Sequence, residues 1–504
     1  MSKQTSRSQQ LKSNATERIT SPVGYQPHMP PSPPAWLADP GMNLTLSAAA
    51  ETVGSLRLAV IGSPSTSGER ICNDTRILQS GDIFVAFPGR RNGHEFVPEA
   101  LAKGAAFAIV SEWPLPVELG SDQGVLVVQD VDAAIVELAR MHRAQFDIPV
   151  AGVGGGVGKT TTKETVAALL SERYGAVQVL KTPGNWNDLR GICLTVLGMR
   201  DHHCYAVIEM GMDRPGEVAQ FAHIVRQQLG IVTSVSTTHL EYFPSMADLV
   251  ATERGMVETL PRDGVAILNS ADRLVRGMIP YAPCPVVTFG PFRDDTVYAR
   301  CVSSRGTQGL SFQVEYRGKT RPVQTSLIGG HLITSALAAI SVALADGWSL
   351  EEAVEAVEHV VVPQRIRFVN GPRGSVIIDD TYNASPQSML AALNLLIDWP
   401  GEQEGKRIAL LGDMRELGPR SRKEHWRLGQ RAAARCSELW VTGDERETIA
   451  AGARAAGLHT VFVCADPFEV AERLAQRLQL NDIVLVKASH AVGLERIIPI
   501  LTTG

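Results

Sequence analysis

Short apolar runs recur along most of the chain, each followed by a stretch with helical spacing. Ile148–Gly154 (IPVAGVG) is apolar without alternation, as expected of a strand buried on both faces. Residues 160–175 (TTTKETVAALLSERYG) then return apolar side chains at helical intervals. Similar runs at Tyr205–Ile208, Gly230–Val235 and Gly264–Leu268 predict a mostly parallel sheet with right-handed crossovers. Before it, the run Asp82–Phe87 and the helical pattern Val97–Gly104 predict a smaller α/β unit. Residues 295–328 contain alternating strand patterns, predicting an antiparallel addition that turns near Arg317–Gly318. Beyond Gln364, the runs Ser375–Ile378, Ile408–Leu411, Glu438–Val441, Val461–Cys464 and Ile483–Val486 predict a second doubly wound, Rossmann-like sheet. The expected fold is α/β in three domains, 42–146, 147–363 and 364–504, behind a tail of residues 1–41.

Composition changes the picture at few points. About 150 residues per domain is a fair prior, and 504 residues fit three such units. The tail carries HMPPSPPAWLADP at His28–Pro40, a proline-rich stretch that predicts an extended or disordered segment. A net charge of −5 excludes a broadly basic nucleic-acid surface. No apolar run is long enough to span a membrane. The seven cysteines are scattered and form no C-x-x-C pair, so a reducing, cytoplasmic setting is expected.

The chemistry concentrates where strands end. Gly152-Val-Gly-Gly-Gly-Val-Gly-Lys159-Thr160 lies between a predicted strand and helix. Glycines allow several backbone N–H groups to converge on phosphate oxygens. Lys159 reaches the β- and γ-phosphates, and the Thr160 hydroxyl can bind Mg²⁺. A strict G-x-x-x-x-G-K-T pattern would need glycine at Val153, so a glycine-rich turn without nucleotide is the bland alternative. Glu209 closes one strand and His239 follows another at the same sheet edge, where a carboxylate and an imidazole can hold a divalent ion. In the last unit Asp379-Asp380 and Gly412–Gly418 (GDMRELG) follow strands in the same way. They suit a ribose, a metal or plain turn caps.

Together these motifs resemble the Mur ligases of peptidoglycan synthesis, from about Leu44 to the C-terminus. The resemblance rests on DTR at Asp74–Arg76, the GKT loop, GNWN at Gly184–Asn187 and VIEMGMDRPGE from Val207. HLEYFPS from His239, DDTYNASPQSM from Asp379, GDMRELG and LVKAS from Leu485 complete it, and the last group favours the D-alanyl-D-alanine-adding branch.

The resemblance implies an ADP-forming amide ligase, with ATP and Mg²⁺ as cofactors. UDP-N-acetylmuramoyl-tripeptide and D-alanyl-D-alanine would be its partners, and the enzyme a monomer. By the same resemblance Asp74, Thr75 and Arg76 hold UDP. Gly155, Gly156, Val157, Gly158, Lys159, Thr160 and Thr161 hold the phosphates, with Asn269, Asp272, Arg365 and Asp380 also serving ATP. Thr160, Glu209 and His239 hold Mg²⁺. Asn185, Tyr382, Asn383, Ser388, Lys487 and Ser489 line the substrate cleft.

There are departures from the family pattern. Gly154 replaces threonine, Asp188, Leu189 and Arg190 replace Asn, an acidic residue and Ile, and both asparagines are lost near His331 and Ser335. Arg254 stands where relatives carry a carbamylated lysine. Since guanidinium stays protonated, Arg254 is expected to neutralise γ-phosphate charge as a catalytic residue beside Lys159, Glu209 and His239. The alternative is a ligase-derived protein that binds nucleotide or UDP-muropeptide without efficient ligation.

The tail's composition generates a first prediction. A variant lacking residues 1–41 should melt within about 1 °C of the full chain and bind ATP equally well, because the segment cannot contribute to a core. A drop of several degrees in a thermal melt would refute this.

Overall fold

The computed structural model describes residues 41–89, 91–114, 118–237, 240–305, 308–362, 366–398 and 405–503. The predicted tail therefore lies, but for Gly41, outside the described residues. So does the 363/364 boundary.

Three large sheets form among the described residues. The first has five strands in the order Arg57–Gly62, Gly124–Val128, Phe107–Val110, Asp82–Val85, Arg70–Cys72, parallel except for the Arg57–Gly62 edge. The second has nine strands. Its parallel part runs Val179–Lys181, Tyr205–Glu209, Val150–Gly154, Leu229–Val232, Val265–Asn269, Val286–Gly290, Val297–Ser304. Leu310–Tyr316 and Lys319–Thr325 then add antiparallel, with the turn at Arg317–Gly318 where the alternation placed it. The third sheet runs Arg367–Asn370, Val376–Asp379, Ile483–Lys487, Arg407–Leu411, Glu438–Val441, Val461–Val463, parallel except at its first strand. The predicted strands are present with ends moved by up to three residues, the largest shift being Gly230–Val235 to Leu229–Val232.

Parallel strands place their carboxyl ends on one edge, and that geometry positions the site. In the nine-stranded sheet, Val150–Gly154 is central and flanked by Tyr205–Glu209 and Leu229–Val232. The exits of these three strands, at Gly154, Glu209 and Val232, therefore lie side by side.

The first two units are less separate than the sequence pattern suggests. Helix Val131–Arg143 was expected to belong to the first unit, yet it packs against helices Leu189–Leu197 and Glu217–Val225 of the central one. One apolar core consequently runs from Leu46 through Ile135 to Ile192, Phe221 and Met256. Buried Arg143 seals the seam: its Nε donates to Val225 O at 2.8 Å and its Nη1 to Phe146 O at 2.6 Å. Periodicity shows which face of a helix is apolar, but not which neighbour covers it.

In the third unit, helices Ser421–Ala433 and Arg446–Ala455 cross at two glycines. A Cβ on Gly429 would sit 2.0 Å from Ile449 O, and one on Gly452 would sit 2.1 Å from Trp426 O. Backbone cannot yield as a side-chain tip can. Gly429→Ala should therefore lower unfolding free energy by about 2 kcal/mol, measured by urea denaturation. Wild-type stability in this variant would show that the two helices separate freely.

Candidate active site

The phosphate loop is shaped by the neighbouring strand exit. Gly155 has φ +120°, and a Cβ there would lie 2.2 Å from Thr233 Oγ1. A Cβ on Gly156 would lie 2.4 Å from Ser236 Oγ. Only glycine allows the loop to lie this close to residues 233–236. Gly156 N donates to Ser234 O at 2.7 Å, Val157 N to Ser234 Oγ at 3.1 Å, and Thr233 Oγ1 to Val157 O at 2.8 Å. Gly158, with φ +89°, precedes helix Lys159–Tyr174 and gives it no side-chain cap, leaving the first-turn N–H groups available to an anion. Lys159 Nζ donates back to Gly155 O at 2.6 Å, which holds the ammonium over the loop.

Glu209 is the hub beside this loop. It is 1 % exposed. Its Oε1 accepts from Thr160 Oγ1 at 2.9 Å and from Asn187 Nδ2 at 2.8 Å, and its backbone N donates to Thr182 Oγ1 at 2.9 Å. Oε2 is buried with no hydrogen-bond partner among the described residues; the nearest cation, Lys163 Nζ, lies at 3.7 Å. Lys163 is wholly buried. It donates to Thr182 O and Gly184 O, both at 2.8 Å, and pairs with Glu164 at 2.8 Å.

A cavity of about 450 Å³ opens from this loop toward the third unit. Gly156, Val157, Gly158, Lys159, Thr160, Thr161, Asn185, Glu209, Asn269, Asp380, Tyr382, Asn383, Ser388 and Lys487, all expected at the site, line it together. On the third-unit side Lys487 Nζ is 2.8 Å from Asp380 Oδ2 and donates to Asn383 O at 2.7 Å. Ser388 Oγ accepts from Ser385 N at 2.8 Å, shaping the turn into helix Pro386–Asp398. Asn269 Nδ2 donates to Thr233 O at 2.7 Å and so fixes the strand exit that cradles the loop.

Other expected residues are placed elsewhere. Gly155 lies in the loop but not on the cavity wall, and Ser489 turns its Oγ to Arg415 N at 2.9 Å. Asp272 is spent on backbone: Oδ2 accepts from Val235 N at 2.7 Å and Oδ1 from Leu274 N at 2.8 Å. Asp74, Thr75 and Arg76 follow the strand Arg70–Cys72 in the first unit, away from this cavity. Arg76 pairs with Asp74 at 2.5 Å and its hydrogen bond holds the Asp74 carboxyl below the usual range, while Lys103 Nζ donates to Thr75 O at 2.8 Å. His239 and Arg365 lie outside the described residues.

Arg254 is a correction. Its Nε donates to Glu258 at 2.7 Å and its guanidinium lies 4.0 Å over the Tyr281 ring, so it does not face the phosphate loop. On helix Met246–Glu258 the charged residue that turns inward is Glu253, 1 % exposed, beside apolar Leu249, Met256 and Val257. Its Oε2 stands 3.3 Å from where a Cβ on Gly154 would be, so glycine there gives the carboxylate room.

Sequence reading passed over Lys163, named Asp188 and His331 only as departures or beside them, and singled out Glu416 only within GDMRELG. Lys163 was accessible in principle, one helical turn after Lys159 on the same face. Asp188 caps helix Leu189–Leu197 through Gly191 N at 2.8 Å, and burial pushes its carboxyl pKa up. His331 opens its ring to the cleft. Desolvation in the cleft, and then the Lys487 ammonium, lower its pKa from the ordinary histidine value. Glu416 reaches the cavity from GDMRELG, where its φ of +63° gave no sequence signal.

Comparison with known proteins agrees with this geometry. Residues 153–343 match the Mur ligase middle domain, and residues 364–490 match the Mur ligase, glutamate ligase domain. The UDP-N-acetylmuramoyl-tripeptide–D-alanyl-D-alanine ligase of Synechocystis sp. is 33% identical over 432 residues, covering 85% of this chain and 90% of that one. The ligase of the same description from Escherichia coli is 30% identical over 436 residues, covering 85% and 93%. Among solved structures, MurF from Acinetobacter baumannii superposes with a TM-score of 0.79 at 28% identity, covering 90% of this chain and 98% of that one. MurF ligase from Thermotoga maritima in complex with ADP gives 0.74 at 27% identity, covering 86% and 96%. With the phosphate loop, the Glu209 hub and the cavity between central and third units in place, the chain belongs to the Mur ligase family.

Proposed function

We propose that this protein joins D-alanyl-D-alanine to UDP-N-acetylmuramoyl-tripeptide at the expense of ATP, in the synthesis of peptidoglycan precursor. The observation that carries the reading is a single cavity in which a phosphate loop faces the Asp380–Lys487 pair of another unit. A carboxylate does not acylate an amine unaided. One tripeptide carboxylate oxygen attacks the γ-phosphorus of ATP, the bond to the β-phosphate oxygen breaks, and ADP leaves. The neutral amine of D-alanyl-D-alanine then attacks the acyl carbon. An amide forms, the bond to phosphate oxygen breaks, and the amine proton goes to the departing phosphate or to solvent.

In this scheme Lys159 and the first-turn N–H groups meet phosphate charge as it shifts toward the leaving group. Thr160 and Glu209 fit Mg²⁺: a hydroxyl and a buried carboxylate oxygen lacking a hydrogen bond are hard oxygen donors. When bound, Mg²⁺ neutralises phosphate charge. Asn187 and Thr160 orient Glu209, and Asn269 keeps the loop's cradle in place. Tyr382, Asn383 and Ser388 approach from the third unit, where the incoming dipeptide has to arrive. Asp74, Thr75 and Arg76 bind the UDP end at a distance from the reacting atoms. The working unit is a monomer, placed in the cytoplasm with its nucleotide substrates. No described helix is long and apolar enough to cross a membrane.

The direct test is phosphate release by purified protein with ATP, Mg²⁺ and UDP-N-acetylmuramoyl-tripeptide. Release should depend on added D-alanyl-D-alanine and yield the pentapeptide product by mass spectrometry. ATP binding without dipeptide-dependent release would overturn ligation in favour of a binding role.

Two substitutions locate the chemistry. Lys159→Ala should lower turnover by about a hundredfold or more with an unchanged circular dichroism spectrum, because its ammonium serves phosphate rather than the core. Arg254→Ala should leave turnover within about twofold of wild type, since its half-exposed pair with Glu258 contributes little. A tenfold loss in the second variant would return Arg254 to the catalytic set.

A further inference from the structure

The segment from Gly184 to Arg190 joins two distant parts of the molecule. At its start, Gly184 O accepts from Lys163 Nζ, and Asn187 holds Glu209 Oε1. Asn187 O also accepts from Gly211 N at 2.8 Å. Asp188 then caps the helix, and two residues on Arg190 leaves the phosphate site altogether.

Arg190 reaches the first unit at two elements. Its Nε and Nη2 form a fork on the Asp132 carboxylate, at 2.5 and 2.7 Å, in the first turn of helix Val131–Arg143. The same guanidinium lies 4.6 Å from the centre of the Phe87 ring, just past the strand Asp82–Val85. Phe87 is itself fixed: Phe87 O accepts from Gly93 N at 2.9 Å, and a Cβ on Gly93 would lie 2.7 Å from Phe87 N. A planar, always charged group can satisfy a carboxylate fork and an aromatic face at once; an ammonium or an aliphatic chain cannot do both.

We propose that Arg190 is a positioning residue that sets the first unit at a fixed distance and angle from the Glu209 hub, so that a substrate anchored by its UDP end brings its far carboxylate to the phosphate loop. This rests on the ligase reading above, with UDP held in the first unit. The residue touches no reacting atom. It acts because a substrate bound at two separated places is sensitive to their spacing, and a small misplacement is felt in productive binding. The pair is partly exposed and the units share a core, so the expected effect is moderate rather than absolute.

The test uses the full chain with Arg190→Met, Arg190→Lys, Asp132→Asn and the Arg190→Met/Asp132→Asn double variant. In Arg190→Met, KM for UDP-N-acetylmuramoyl-tripeptide should rise about three- to tenfold, while kcat and the KM values for ATP and D-alanyl-D-alanine stay within about twofold. Arg190→Lys should recover part of the loss, and the double variant should be no worse than Arg190→Met alone. An unchanged KM for the UDP substrate would overturn the proposal. So would a fall in melting temperature and kcat with a parallel rise in every KM, the sign of a merely structural residue. If wild type shows no dipeptide-dependent turnover, the ligase reading itself has failed. The coupling of the units is then read by amide hydrogen exchange, which should quicken in residues 131–143 of Arg190→Met; exchange as in wild type overturns the coupling as well.

Discussion

A carboxylate buried with one oxygen satisfied and the other bare is costly to maintain, and the architecture around Glu209 meets that cost. A parallel sheet brings its backbone N to Thr182, while the helix after the phosphate loop supplies Thr160 on one side and Lys163 on the other. Asn187 approaches from the next crossover. Four separate stretches of chain therefore have to be in register around this buried group. Gly155 and Gly156 serve the same end, since the side chains they omit would collide with residues 233–236.

Much of this was legible in the sequence because parallel α/β folds write their plan in one dimension. A buried strand is an unbroken apolar run, and its chemistry follows at the carboxyl end. Gly155–Thr161, Glu209 and Asp380 are legible that way, whereas Lys487 is legible only through the resemblance of LVKAS to the family. What escaped depends on the direction of side chains and on long-range packing. Arg254 and Glu253 are neighbours on one helix, and one residue of rotation decides which faces the loop. Asp272 looked like a ligand but caps a helix and ties a strand exit, a use that its position after a strand does not distinguish. Lys163 is coded by helical spacing, but its partners are backbone carbonyls, which have no letter in the sequence.

The changed motifs read differently once placed. Gly154 makes room for the Glu253 carboxylate. Asp188 retains a polar side chain at a helix start, where its oxygen caps the backbone. Arg190 makes a fork on Asp132 and a contact with the Phe87 ring. These substitutions re-engineer the surroundings of the hub while Lys159, Thr160, Asn187 and Glu209 keep the geometry that a phosphate-handling site needs.

The core shared by the first and central units has a consequence for how the chain is made. Helix Val131–Arg143 leaves the ribosome well before residues 189–225, against which its apolar face is buried. The first sheet can pair its strands early, but that face has no cover until nearly half of the protein has been synthesised. During this interval the nascent chain displays Ile135, Leu138 and neighbouring apolar side chains to the cytosol, a natural target for a chaperone that recognises exposed hydrophobic surface. Expression of the first unit alone would make that transient state permanent, and aggregation rather than a soluble fragment is its physical destination.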